Sequence, residues 1–152
     1  MKVTLPGLLV TLLATMLVAQ PPAQSLKTYA SSADVQALIA KAKAERKEGQ
    51  AIVIEKILNF APYVANLEYR ASAGAAAVHP AEAEMMYVIE GQATFVTGGK
   101  LTGTTISGGT AQTVSKGDFL VVPEGTPHWF SGIDSTLVLM TIKMPRSAPA
   151  TP

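Results

Sequence analysis

The chain has 152 residues, no cysteine, and twelve basic residues against eleven acidic ones. This length supports one domain with a core of its own. The balanced charge, with no basic patch that stands out, argues against nucleic-acid binding. The lack of cysteine excludes disulfides, so packing must stabilise the fold.

The first 25 residues differ from the rest, because Lys2 is their only charge and residues 8–19 are apolar apart from threonines. That run is shorter than the roughly 20 residues of a membrane span and fits the apolar segment of a signal peptide. We expect a signal peptide over residues 1–25, cleaved after Ser25 or at Ala19. The mature protein would then be exported, to the periplasm or the extracellular space, with no membrane contact after cleavage. An uncleaved N-terminal anchor is the alternative.

A helix is predicted within the lead-in segment 26–49. Ser31 and Asp34 have the spacing of a capping box, and Gly49 is a suitable terminator. We predict one amphipathic helix over about 33–48 that packs its apolar stripe on the rest of the domain. The stripe consists of Val35, Leu38, Ile39 and Ala42.

Residues 50–145 show the short alternating segments and glycine-rich turns of β-strands, and residues 146–152 are predicted to be a disordered tail. So many short strands favour an all-β barrel or jelly roll over βαβ units. Residues 98–109 should contain turns and short strands. The other predicted strands cover residues 51–58, 63–70, 84–90, 92–97, 111–115, 119–122, 126–131 and 136–143.

The last predicted strand is apolar on both faces between Leu137 and Ile142. One face can fill the barrel. The other must be covered by the helix, by the N-terminal strands or by a second subunit. A homodimer is therefore expected.

The two histidines of the chain, His79 and His128, frame the candidate site. Alternation along the strand after His79 places Glu82 and Glu84 on one face. If that face is the interior, His79, Glu84 and His128 can converge, and two neutral imidazoles with a carboxylate can bind a divalent metal ion. Glu82 is a candidate extra ligand, with a solvent-exposed side chain as its alternative. Each histidine also has a simpler interpretation, His79 as a surface residue and His128 as a hydrogen-bonded core residue.

The same alternation places Met86, Val88 and Phe130 beside the polar cluster, where they could line an apolar pocket for a small organic ligand. They could equally form a packed barrel core. Tyr87 and Trp129 would point away from the interior, towards the helix or a subunit interface.

Two segments resemble the two sequence motifs of the cupin superfamily, in the right order. The first cupin motif contains a histidine pair, a glutamate and a closing glycine, and the second runs from a glycine through a proline and a glycine to a histidine. The matching residues are His79, Glu84 and Gly91 in the first motif, and Gly117, Pro123, Gly125 and His128 in the second. The resemblance spans residues 53–144 and implies an all-β fold, a cupin jelly-roll β-barrel, to which the helix predicted above adds one N-terminal helix.

Three positions depart from the motifs. Ala77 stands where the first histidine of the pair is expected, Ala71 where the opening glycine is expected, and Gly132 where a final asparagine is expected. Cupins usually hold their metal with both paired histidines, the glutamate and the histidine of the second motif. The resemblance therefore implies a site of His79, Glu84 and His128 that lacks one imidazole.

The resemblance allows two functions. The first is an exported cupin with one divalent metal ion (iron, manganese, zinc or nickel) that binds or acts on a small organic molecule. As an enzyme it would be an oxygenase, an isomerase or a decarboxylase. The alternative is a non-catalytic ligand-binding or structural cupin that has lost its metal, which the missing histidine favours.

Overall fold

The structure is a computed structural model that describes residues 25–146. The predicted signal peptide therefore lies outside the described residues except for Ser25, and the predicted tail except for Arg146. The Arg146 N–H donates to the carbonyl of Ala81 at 3.1 Å, so the described chain is hydrogen-bonded up to its last residue. Within this range, no helix is long and apolar enough to cross a membrane.

One helix and ten strands make up the described residues, which confirms the prediction of an all-β fold with a single N-terminal helix. The helix α1 is Ser32–Glu45. The strands are β1 (Ile52–Phe60), β2 (Tyr63–Arg70), β3 (Glu82–Glu90), β4 (Gln92–Thr97), β5 (Lys100–Thr102), β6 (Thr105–Ser107), β7 (Thr110–Ser115), β8 (Phe119–Val122), β9 (His128–Ile133) and β10 (Leu137–Pro145).

The predicted capping box begins α1. The Asp34 N–H donates to the Ser31 hydroxyl at 3.1 Å, and the Ser31 N–H donates to the Asp34 carboxylate at 2.8 Å. These two bonds satisfy donors that the first turn of a helix leaves without partners. The apolar stripe of α1 packs on β1 and β2, where Ala42 is completely buried.

The C-terminal end of α1 differs from the prediction. The sequence predicts a helix to about residue 48, whereas α1 ends at Glu45. The Arg46 guanidinium donates to the carbonyls of Lys47 and Gln50, and the Gln50 side chain accepts from the Lys47 N–H. These local bonds compete with further helical bonds and stop the helix early.

Two antiparallel sheets enclose the core. The larger sheet has the strand order β1-β2-β10-β3-β8 and the smaller one the order β7-β4-β9, while β5 and β6 form a separate hairpin. Alternation along each strand turns one set of side chains inwards, where the two inner faces meet. This inner cluster consists of Met86, Val88, Ala93, Phe95, Val114, Leu120, Val122, Phe130, Leu137 and Leu139.

The larger sheet is apolar on its outer face as well. Leu137 and Leu139 of β10 belong to the inner cluster, whereas Val138 between them packs in a second cluster that includes residues of α1. The helix covers this face over β1 and β2. Away from the helix, Phe119 and Val121 of β8 are 70% and 61% exposed.

Backbone hydrogen bonds join the two histidine segments. Ala77 and His128 exchange two N–H···O=C bonds, each 2.9 Å long, and the Gly125 N–H donates to the carbonyl of His79 at 2.8 Å. These bonds fix the position of His79 relative to His128.

The loop between β2 and β3, residues 71–81, has further anchors. The indole N–H of Trp129 donates to the carbonyl of Gly74 at 2.7 Å. The Ala76 N–H donates to the carbonyl of Thr104 at 2.8 Å. Residues 71–77 are alanine, serine and glycine only, so main-chain bonds rather than large side chains hold this loop in place.

Gly91, between β3 and β4, should tolerate no side chain. Its φ is +90°, and a Cβ there would overlap the carbonyl oxygen of Thr136. Gly117 is the matched control, because its φ is +96° but a Cβ would meet nothing within 4 Å. We expect Gly117→Ala to lower the free energy of unfolding by about 1–2 kcal/mol, the cost of left-handed backbone. Gly91→Ala should lower the free energy of unfolding by the same amount and by about 1–3 kcal/mol more, because of the overlap.

Urea unfolding of the two variants measures the difference. Equal losses of stability would contradict the steric argument for Gly91.

Candidate metal centre

The structure brings together the side chains of His79, Glu84 and His128. His79 lies just before β3, Glu84 is within β3, and His128 is the first residue of β9. One carboxylate oxygen of Glu84 is 3.1 Å from His128 Nε2 and 3.4 Å from His79 Nε2. The Glu84 and His128 side chains are 5% and 7% exposed and the His79 side chain is 24% exposed, so solvent reaches the cluster from the side of His79.

These separations fit one shared metal ion. Two ligand atoms about 2.1 Å from an ion, and about 90–110° apart around it, lie about 3.0–3.4 Å from each other. The two distances at Glu84, 3.1 and 3.4 Å, fall in that interval. The candidate ligand atoms of all three residues lie within 4.8 Å of one another.

A backbone carbonyl determines which nitrogen of His128 faces the cluster as an acceptor. Nδ1 lies 3.1 Å from the carbonyl oxygen of Thr126, and since a carbonyl only accepts, Nδ1 carries a proton. In the neutral ring, Nε2 then presents a lone pair to the Glu84 carboxylate, 3.1 Å away. Two acceptors at this distance repel each other unless a proton or a cation lies between them. The arrangement therefore requires a proton on one of these two groups or a metal ion between them.

The surroundings of Glu84 keep it ionised. Burial alone would raise the pKa of this carboxyl, because desolvation disfavours the charged form. In the metal-free protein with its imidazoles protonated, the hydrogen bond from His128 and the charges of His128, His79 and Lys143 outweigh burial and hold the pKa of Glu84 below its ordinary value. Glu84 is therefore a carboxylate near neutral pH, the form that binds metals.

Ala77, where the cupin motif has its first histidine, also faces the cluster. It lies directly opposite His128 in an antiparallel pair, so the two side chains are on the same face. The backbone that would carry a fourth ligand is thus in place, and a methyl group occupies that position.

Glu82 is not brought into the cluster. It lies on the same face of β3 as Glu84, but two residues along a strand separate side chains by about 7 Å. Glu82 is opposite Pro145 at the end of β10. The predicted extra ligand therefore lies outside the group whose atoms could share one ion.

The three predicted pocket residues, Met86, Val88 and Phe130, are packed beneath the cluster and are 2%, 0% and 2% exposed. Phe95, which the sequence analysis does not single out, joins them to the site. Its ring centre is 4.7 Å from that of Phe130 and 6.4 Å from that of His128. This burial favours a packed core over an open pocket. Alternation along β4 is the signal that could have identified Phe95.

The interior contains a second polar group, which the sequence analysis does not single out. Arg70 Nε donates to the Glu68 carboxylate at 2.8 Å, and the Thr141 hydroxyl donates to the same carboxylate at 3.5 Å. The guanidinium carbon lies 4.8 Å from the centre of the Phe130 ring. Because these opposite charges compensate each other, the group offers no free charge to a ligand.

Comparison with solved structures finds the same fold at low sequence identity. The Fe(II) form of HppE is 17% identical with a TM-score of 0.55, over 65% of this chain and 54% of that one. TT1209 from Thermus thermophilus is 17% identical with a TM-score of 0.53, over 69% and 93% of the two chains. The Cnp3 cupin domain of Schizosaccharomyces pombe is 10% identical with a TM-score of 0.51, over 68% and 71%. These similarities show the fold alone, and the chain matches only about half the length of HppE.

Sequence comparison gives a sharper result. No curated protein matches the chain. The family model of the cupin domain matches residues 63–142, more than half of the chain, including both histidines and Glu84. A match of that extent, over the segments that carry all three candidate ligands, makes this chain a member of the cupin superfamily.

Proposed function

We propose that this cupin binds one divalent metal ion through His79, Glu84 and His128 and holds a small organic molecule at the coordination positions left open. The observation that carries the proposal is the orientation of His128. Its Nδ1 proton is directed to Thr126, so Nε2 and the Glu84 oxygen, two acceptors 3.1 Å apart, face a point that suits a cation.

The residues determine what such a centre could do. Three protein ligands leave positions for water or substrate, where a metal can polarise a carbonyl group or, if it is iron, react with dioxygen. His79 is the most exposed of the three, so a ligand would approach from its side. Oxygenase, isomerase and decarboxylase chemistry all fit this arrangement. Iron is the first metal to test, because HppE was solved in its Fe(II) form.

The second candidate is a cupin without metal that binds a ligand or serves a structural role. Ala77 favours it, because the position of a fourth ligand carries a methyl group. In that case a protonated His128 would form an ion pair with Glu84 and stabilise the barrel without chemistry.

Metal analysis separates the two candidates. We expect the protein, loaded with Fe(II), Mn(II), Zn(II) or Ni(II) and then dialysed, to retain one ion per chain. His128→Ala and Glu84→Gln should each weaken binding at least about 100-fold, since loss of a mere outer-shell partner costs 10–100-fold. Ala77→His should strengthen it by adding a ligand.

Glu82→Gln is the matched control, a carboxylate of the same strand that lies outside the cluster, and it should leave the stoichiometry unchanged. Wild-type protein that retains none of the four ions would refute the metal centre. Binding that survives both ligand substitutions would place the ion elsewhere.

The metal-free protein should lose stability in acid through Glu84. Because its folded-state pKa lies below the ordinary value of 4.5, its stabilising contribution is complete above that pH and is lost as the pH falls through the folded-state pKa. We expect Glu84→Gln to lower the free energy of unfolding by about 1–3 kcal/mol at neutral pH. The difference from wild type should shrink below pH 4.5.

Urea unfolding as a function of pH, with a chelator present, measures this difference, and Glu82→Gln serves again as control. A deficit in Glu84→Gln that is the same at every pH would contradict the electrostatic account.

We also propose that the protein forms a homodimer through the outer face of β3 and β8. Strand β8 is an edge of the larger sheet, and the rings of Tyr87 and Phe119 pack at 4.6 Å on that face. Phe119 and Val121 remain 70% and 61% exposed. An exposed apolar edge of this kind favours pairing with another chain, and a two-fold axis would bury the same residues from both copies.

Light scattering during gel filtration tests the dimer. We expect a mass of two chains for the wild type and of one chain for Phe119→Asp, because the interface would have to bury the new charge. Leu26→Asp, at another highly exposed apolar residue (74%), should remain dimeric. A wild-type protein with the mass of one chain would refute the proposal.

A further inference from the structure

Lys143 lies beside the candidate metal centre and faces the same way. It is opposite Glu84 in the pairing of β10 with β3, so the two side chains leave the sheet on the same face. Earlier residues of that face of β10, namely Leu137, Leu139 and Thr141, are buried in the interior. Lys143 continues their row but is exposed, so it stands where the interior opens to solvent.

The charge of Lys143 has no ion-pair partner among the residues that the structure describes. Its field contributes to the low pKa of Glu84, but the Glu84 oxygen contacts the two imidazoles. Among residues 25–146, no carboxylate lies within 4 Å of the Lys143 ammonium, whereas Arg70 and Arg146 pair with Glu68 and Glu124.

Besides Glu84, a second carboxylate of β3 lies on this face. Glu82 lies diagonally across from Lys143, since it pairs with Pro145 while Lys143 pairs with Glu84. It makes no ion pair with Lys143 within 4 Å. A ligand that reached Lys143 would therefore displace no existing ion pair.

We infer that Lys143 binds the carboxylate of a small organic acid whose other oxygen atoms coordinate the metal. This inference rests on the proposed metal centre. The Cβ atoms of a directly opposite pair are about 4.5–5.5 Å apart, so the flexible lysine side chain can place its ammonium group over a molecule bound at Glu84 and the histidines. A divalent ion with one carboxylate ligand keeps one net positive charge, and Lys143 adds a second. The ligand class that matches is a small anion with two oxygen-bearing groups.

Two dicarboxylates and their neutral analogues test the inference. Malonate, succinate, malonamide and succinamide are titrated by calorimetry into metal-loaded and metal-free full-length protein at low ionic strength. We expect at least one dicarboxylate to bind the loaded wild type, and both diamides to bind more weakly. Lys143→Met should weaken dicarboxylate binding about tenfold or more, as expected for a charge-assisted hydrogen bond. Lys143→Arg should retain most of the affinity.

Lys116→Met is the matched control. Lys116 is an exposed lysine whose backbone N–H donates to the carbonyl of Gly91. Gly91 follows the last residue of β3, several residues away from Glu84. This variant should bind the dicarboxylates like the wild type, and Lys143→Met should still retain one metal ion per chain.

The outcomes distinguish this inference from the metal centre. If the wild type binds metal normally but binds no dicarboxylate, the role of Lys143 is refuted and the metal centre is not. The same holds if Lys143→Met binds the dicarboxylates as tightly as the wild type does. Equal affinity for diamides and dicarboxylates would also refute this role. No retained metal, with succinate binding that still depends on Lys143, would refute the metal centre and leave an anion site.

Discussion

The site depends on a single buried carboxylate that two imidazoles share. A carboxylate as buried as that of Glu84 is costly unless positive charge or hydrogen-bond donors surround it. His79 and His128 approach the same oxygen from different segments, so the compensation exists only when those segments are joined. The main-chain bonds between Ala77 and His128, and between Gly125 and His79, make that connection.

The rest of the barrel supports this arrangement from below and from outside. Phe95 and Phe130 form an apolar floor under His128, and the compensated pair of Glu68 and Arg70 lies beyond Phe130. On the outer face, α1 covers β1 and β2. Glu84 and His128 are thus attached to strands that are packed on their inner side, and a main-chain bond holds His79 beside them, which limits their movement and fixes the distances between them.

The parts of this molecule that could be predicted from sequence are those with a local cause. Glu84, Met86 and Val88 alternate strictly along one strand, so their common inward face follows from the pleat. The start of α1 follows from the spacing of Ser31 and Asp34.

Other features depend on register or on local competition that composition does not reveal. The helix ends early because Arg46 and Gln50 make hydrogen bonds that helix propensities alone do not predict. The interior pair of Glu68 and Arg70 becomes apparent only once the strands are aligned, because β2 is buried on both faces near Glu68. The contact between Thr126 and His128, which decides the tautomer, is likewise a product of the folded loop.

In the loop between β2 and β3, the backbone is held in place without help from large side chains. Main-chain bonds hold it, and its residues 71–77 are all small. Larger side chains at the exposed positions of this loop would leave these bonds intact, so its sequence can vary without displacing His79.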